Sequence, residues 1–230
     1  MAPIIASAHD PGVIYAGYQF VYRSRTRGSS WERISHDLTS NVPSRMLLHS
    51  SSAVPFQTIT ALAESPRRKG LLYAGTDDGR LHVTMDDGRN WTDLSARVPT
   101  SRWYSRVTPS QHADGTVYVA QRGREDDDFG VYVYKSTDFG KTFTSIGANV
   151  PTGSVNVIRE DPRDPNVLYL GTDFGAFIST TGGRSWDVLG GGLPSVQVSD
   201  LAFHRRDNVI VISTYGRGMY ALDAHKVRTE

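Results

Sequence analysis

The sequence predicts an all-β chain, a β-propeller assembled from five repeats of one four-stranded sheet. Three observations point there. A phrase of the form Ser/Thr-x-Asp/Thr-x-Gly-x-x-Trp/Phe occurs four times, at 24–31, 84–91, 136–143 and 179–186, its final aromatics 60, 52 and 43 residues apart. A β-branched and aromatic phrase precedes each copy and occurs a fifth time: Val13-Ile14-Tyr15-Ala16-Gly17, Leu71-Leu72-Tyr73-Ala74-Gly75, Val117-Tyr118-Val119-Ala120, Val167-Leu168-Tyr169-Leu170-Gly171 and Val209-Ile210-Val211-Ile212-Ser213. No stretch sustains a helical i, i+3, i+4, i+7 stripe over three turns. Short β-rich runs separated by Gly, Asp, Asn and Pro, repeated every 40 or so residues, are the grammar of propeller blades. A β-sandwich does not require the same phrase in every fourth strand.

Taken in order, the blades fall at about 4–38, 57–95, 104–147, 154–190 and 197–223 of a single domain spanning 1–230. The fourth copy is the clearest, with strands expected at 155–160, 167–171, 176–180 and 186–189. The first strands of the other copies are read at 4–7, 59–65, 104–108 and 198–203. The fifth copy stops after Met219-Tyr220-Ala221-Leu222-Asp223 without a Gly-x-x-Trp ending, and the tail from Ala224 is polar. The ring is therefore either a closed five-bladed one with a three-stranded last blade or part of a larger propeller, in which case the missing blades are partners.

Composition narrows the function classes. The chain has 230 residues, 38% hydrophobic, with 25 basic and 24 acidic side chains. Its net charge of +1 does not suit nucleic-acid or anionic-membrane binding by bulk charge. No apolar run approaches the ~20 residues that span a bilayer, and the start of the chain lacks a signal-peptide core. Zero Cys rules out disulfides and thiolate chemistry without fixing the compartment. No nucleophile elbow, P-loop or His-Glu-x-x-His motif is present, and the seven His fall at no metal-ligand spacing, so neither a metal nor a cofactor is expected.

The four phrases resemble the Asp-box, or BNR repeat. Ser136 to Phe143 matches with Phe for Trp, Thr84 to Trp91 matches loosely, and Thr26 and Thr181 stand where the Asp belongs. With the text around Asp161-Pro162-Arg163-Asp164-Pro165 and Tyr215-Gly216-Arg217-Gly218, the chain is similar to bacterial sortilin-type and BNR-like propellers, a group often labelled glycosyl hydrolase. Sialidases and xyloglucanases share the box. The resemblance implies a propeller in a bacterial secreted or periplasmic setting, although a cytosolic one fits the residues equally. The boxes themselves read as structural. Thr26, Asp86, Asp138 and Thr181 fix a turn, Gly28, Gly88, Gly140 and Gly183 supply its positive φ, and Trp31, Trp91, Phe143 and Trp186 wedge neighbouring sheets.

Function is expected on the face where insertions gather, at 35–56, 96–103 and 121–130. Arg102, Trp103, Tyr104 and Arg106 combine aromatic and guanidinium chemistry there, and Arg122, Arg124, Tyr215 and Arg217 come from turns on the same face. They suit a peptide, protein or glycan ligand, which makes a binding propeller the leading reading. The alternative is a glycoside hydrolase, sialidase- or xyloglucanase-like, on the same face. Its carboxylates would be drawn from Asp77, Asp78, Asp173 or the acidic run Glu125-Asp126-Asp127-Asp128, the last of which reads first as a solvated charged loop. A sialidase-type Tyr/Glu pair is disfavoured, because Glu64 and Glu160 lie late in their strands, away from Tyr104.

Overall fold

In the computed structural model, which describes residues 2–43 and 57–229, the described residues form nineteen strands and one short α-helix. They make five antiparallel sheets, each from strands consecutive in the chain. The sheets are β1 to β4 (Ile4–Ala6, Ile14–Gly17, Val21–Ser24, Glu32–Arg33), β5 to β8 (Ile59–Glu64, Leu72–Thr76, Leu81–Thr84, Thr92–Asp93) and β9 to β12 (Trp103–Pro109, Val117–Gly123, Asp128–Ser136, Thr144–Ser145). The last two are β13 to β16 (Val155–Glu160, Leu168–Thr172, Ala176–Ser179, Asp187–Val188) and β17 to β19 (Val198–His204, Val209–Thr214, Met219–Asp223). This is the blade construction of a propeller, with a three-stranded fifth blade. The chain divides into two compact units, residues 1–117 with 136–143, and residues 118–135 with 144–230.

The strands read as apolar runs because inner strands are covered on both sides. Every residue of β6, β7, β14 and β15 is buried, whereas the two-residue outer strands β4, β8, β12 and β16 are exposed throughout. The second strands carry the Tyr of the repeated phrase at one position, and Tyr15, Tyr73, Tyr118 and Tyr169 are all fully buried. A buried phenol needs an acceptor. Tyr15 donates to Asp87 at 3.2 Å, Tyr118 to Glu160 at 3.0 Å and Tyr169 to Asp161 at 2.9 Å. The Tyr73 hydroxyl has no partner among the described residues. In the repeat alignment, the position held by Glu64 and Glu160 is occupied by Pro109 in the blade after Tyr73.

The four turns share one hydrogen-bonding scheme. The leading hydroxyl, of Ser24, Thr84, Ser136 or Ser179, accepts the N–H of Gly28, Gly88, Gly140 or Gly183 at 2.8–3.0 Å. All four glycines have φ between +86° and +93°. Asp86 and Asp138 accept the N–H of Asn90 and Thr142, each at 2.9 Å. Thr26 and Thr181 do the same with their hydroxyls, toward Ser30 at 2.9 Å and Ser185 at 3.0 Å. One oxygen at the right height is what the turn requires, so Thr substitutes for Asp without loss of the fold.

The wedge expectation needs one correction. Trp186 is 3% exposed and donates to Ile146 O at 2.6 Å, and Trp91 donates to Ile34 O at 2.8 Å. Trp31 is 44% exposed and donates only to Gly28 O within its own turn, at 3.1 Å. Trp91 and Trp186 each seat on the carbonyl three residues past the aromatic of the preceding phrase. The expectation of a merely polar tail is also corrected. Residues Ala224–Thr229 form the helix α1, and Ala224 and Val227 pack into the core cluster that contains Leu189, Leu201 and Ile210. An aliphatic helix face thus covers the end of this cluster, in a blade that lacks a fourth strand.

Candidate functional site

The turns joining second to third strands bring most of the expected site residues to one end of each sheet. In the first unit this end carries Asp77 and Asp78. Asp77 is buried, and its Oδ1 accepts the N–H groups of Gln57 at 2.9 Å and Thr58 at 2.8 Å. Burial pushes its carboxyl up to about 6, aided by the neighbouring Asp78 and opposed by those N–H groups. Asp78 accepts the Ser40 N–H at 2.7 Å and the Thr76 hydroxyl. Its side chain lines a cavity of about 300 Å³ with Ser40, Gly79, Arg80, Ser95, Ala96 and Ser101. The insertion expected at 35–56 lies outside the described residues from 44 to 56.

One rim expectation is corrected here. Tyr104 is 0% exposed and packs where Gly75 leaves room, so it belongs to the core and offers no ligand surface. Its strand neighbours Trp103 and Arg106 are half-buried, as is Arg102. Tyr104 and Val107, three residues apart, are both buried, so strict two-residue alternation does not hold along β9 and the sequence pattern alone does not tell which side chains turn inward.

The same end of the second unit is more open. Arg124 donates to Asp173 at 2.9 Å, and Asn156 donates to the same oxygen at 3.0 Å. Arg122 pairs with Glu125 at 2.9 Å, and burial pulls its guanidinium below the ordinary arginine range. Asp128 is occupied by the Tyr132 hydroxyl at 2.8 Å and the Gly130 N–H at 3.0 Å. The acidic run is therefore partly a set of internal turn contacts. Among the described residues no group of three acidic or His side chains is placed to hold a metal.

Three exposed rings lie in the same unit: Phe129 (48% exposed), Phe174 (52%) and Tyr215 (77%) come from the third, fourth and fifth sheets. Phe129 and Phe174 are linked through Gly153, whose N–H donates to Phe129 O at 2.8 Å and against which the Phe174 ring packs, whereas Tyr215 N–H donates to Gln197 O at 2.9 Å, just ahead of its own sheet's first strand. Arg217 is exposed in the Tyr215 turn. Sequence reasoning took Tyr215 and Arg217 as ligand contacts, named Phe174 only as part of its turn and Phe129 only within the acidic loop. Their signal was an apolar ring beside Asp, Gly and Arg.

No protein-family model matches the chain. A probable oligoxyloglucan-reducing end-specific xyloglucanase of Neosartorya fischeri is 29% identical over 140 residues, 56% of this chain and 17% of that protein. The oligoxyloglucan-reducing end-specific xyloglucanase of Emericella nidulans is 28% identical over 111 residues, 46% of this chain and 13% of that one. The solved GH74 xyloglucanase from Xanthomonas campestris superposes with a TM-score of 0.71 at 15% identity, over 98% of this chain and 36% of its own. The Niastella koreensis GH74 enzyme gives 0.69 at 15%, over 97% and 36%. The chain thus spans less than a fifth of these curated relatives, and at such identities the solved structures speak for the fold.

Proposed function

We propose that the chain is a glycan-binding propeller segment that lays a polysaccharide of the β-glucan kind across the loop end of its second unit. The observation that carries this reading is the set of exposed rings, Phe129, Phe174 and Tyr215, contributed by three successive sheets of the unit that also holds the Arg124–Asp173–Asn156 group. Sugar rings present a flat C–H face and a rim of hydroxyls. An exposed ring takes the first, and fixed polar groups take the second. The names of the curated relatives favour a glycan over the peptide and protein ligands that the same chemistry admits. The recurring turns are read as Asp-boxes in a structural role.

A hydrolase reading draws on Asp77, with its raised carboxyl, beside the Asp78 cavity. It is the weaker one. Glycoside hydrolysis needs two carboxyl groups facing each other across ~5–9.5 Å. Asp77 is instead anchored by two backbone N–H groups, and Asp173 is anchored by Arg124 and Asn156.

Affinity electrophoresis in gels containing xyloglucan tests the proposal. The chain is expected to be retarded, and Phe174→Ala is expected to weaken retention about ten-fold, or about 1.4 kcal/mol, while melting at the wild-type temperature. Unretarded migration in xyloglucan and in other β-glucans overturns it.

A further inference from the structure

We propose that Asp114 is a site of spontaneous covalent modification, where an exposed Asp-Gly turn closes to a succinimide and reopens as isoaspartate. This holds whether or not the chain binds a glycan. The chain has three Asp-Gly pairs, Asp78-Gly79, Asp87-Gly88 and Asp114-Gly115, and all lie in the first unit. Each offers the same local chemistry, because a glycine nitrogen has no Cβ beside it to hinder its approach to the preceding carboxyl. The fold treats the three differently.

Two are pinned. The Asp78 carboxylate is buried and is held by the Ser40 N–H at 2.7 Å and by the Thr76 hydroxyl. Asp87 is half-buried, and its carboxylate receives the Tyr15 hydroxyl at 3.2 Å, Arg25 at 3.2 Å and Arg23. A carboxyl held in this way must give up those bonds before it can swing onto the nitrogen that follows it. Asp114 instead stands exposed in the turn joining β9 to β10. Its carboxylate accepts the N–H of Gly115 at 3.2 Å, so the attacking nitrogen already lies against the carboxyl.

The step needs no reagent but water. The Gly115 nitrogen attacks Asp114 Cγ, a C–N bond forms as a C–O bond breaks, and the lost oxygen leaves with the amide proton as water. Water then adds to either carbonyl of the ring. Opening at the α-carbonyl routes the main chain through the former side chain, with no net oxidation or reduction. Gly115 is also a docking point. Phe139 N–H donates to Gly115 O at 2.8 Å, and a Cβ on Gly115 would fall 2.9 Å from the Phe139 ring. Isoaspartate adds one carbon to the main chain just before that contact, so conversion loosens the third box turn from the β9–β10 turn.

The test is peptide mapping of the folded chain after several weeks in mildly acidic buffer at physiological temperature. Trypsin places the three pairs in separate peptides, 70–80, 81–89 and 107–122, so each is read against the other two. Peptide 107–122 is expected to split into aspartyl and isoaspartyl forms, with a transient species lighter by one water, while the other two stay single. Asp114→Glu, whose longer arm closes the imide ring poorly, should lose the isoaspartyl form. Asp114→Asn should convert faster and release ammonia. In guanidinium chloride all three peptides are expected to convert. A folded chain whose peptide 107–122 stays unmodified, or whose peptides 70–80 and 81–89 convert as fast, overturns the proposal. The same selectivity in denaturant would assign it to local sequence rather than to the fold, and overturns it too.

Discussion

Gly75→Ala is the sharpest test of how the blades fit. In the first unit, strand β6 of the second sheet faces β9 of the third. A Cβ at Gly75 would lie 2.6 Å from Tyr104 Cβ and 2.7 Å from its Cγ, distances that real Cβ atoms do not show. The atoms in the way are the root of a fully buried side chain, so no rotamer change relieves the contact and the strands themselves must separate. Gly75 carries no positive φ, so backbone strain plays no part. On backbone grounds alone, alanine would stabilise the chain by ~0.4–1 kcal/mol through the unfolded state. Overpacking costs ~1–3 kcal/mol, leaving a net loss of about 1–2 kcal/mol. For a chain of this size that is roughly 2–8 °C in melting temperature. Thermal and urea unfolding followed by circular dichroism measure it, with Gly191→Ala as control, since nothing lies within 4 Å of a Cβ there. A Gly75→Ala chain as stable as wild type would refute the close-approach reasoning.

Two further predictions concern buried polar groups. Tyr73→Phe removes a hydroxyl without a described partner and should leave stability unchanged or raise it by up to about 1 kcal/mol, whereas Tyr118→Phe takes a donor from buried Glu160 and should cost about 1–2 kcal/mol. Urea midpoints decide the sign of each. Asp77 gives a pH signature. Its folded carboxyl sits near 6, above the ~3.9 of an unfolded chain, so its contribution is present below pH ~4 and lost as pH rises through about 6. Relative to Asp77→Asn, the wild-type chain should therefore lose on the order of 1–3 kcal/mol between those pH values. Parallel stability curves for the two chains would show that Asp77 ionises normally.

Much of the fold was legible because the repeat supplies its own controls. The first strand of the fourth blade is observed at Val155–Glu160, as its β-branched run and the following Asp161-Pro162 imply. The outer strands were harder. Only Asp187–Val188 pairs where four residues were expected, because a twisted sheet's exposed last strand keeps few ladder bonds. The shape of helix α1 was hidden by its polar letters, and Ala224 and Val227 are the residues it packs into the core. The site was less legible. Tyr104 and Tyr215 look alike as letters, yet one is sealed beneath a neighbouring sheet and the other stands in solvent. What separates them is place: Tyr104 sits in β9 against Gly75 of the preceding sheet, and Tyr215 in the turn after β18, a difference that no local motif encodes. Phe129 and Phe174 were placed on this face without a ligand role for the converse reason, since a lone Phe among polar residues resembles a core residue until its exposure is seen.

The most direct measurement is a crystal structure of the chain with a xyloglucan oligosaccharide. Sugar rings are expected over Phe174 and at least one of Phe129 and Tyr215, with hydroxyls hydrogen-bonded to the Arg124–Asp173–Asn156 group. Oligosaccharide density seated only elsewhere, with these three aromatic rings bare, would contradict the account.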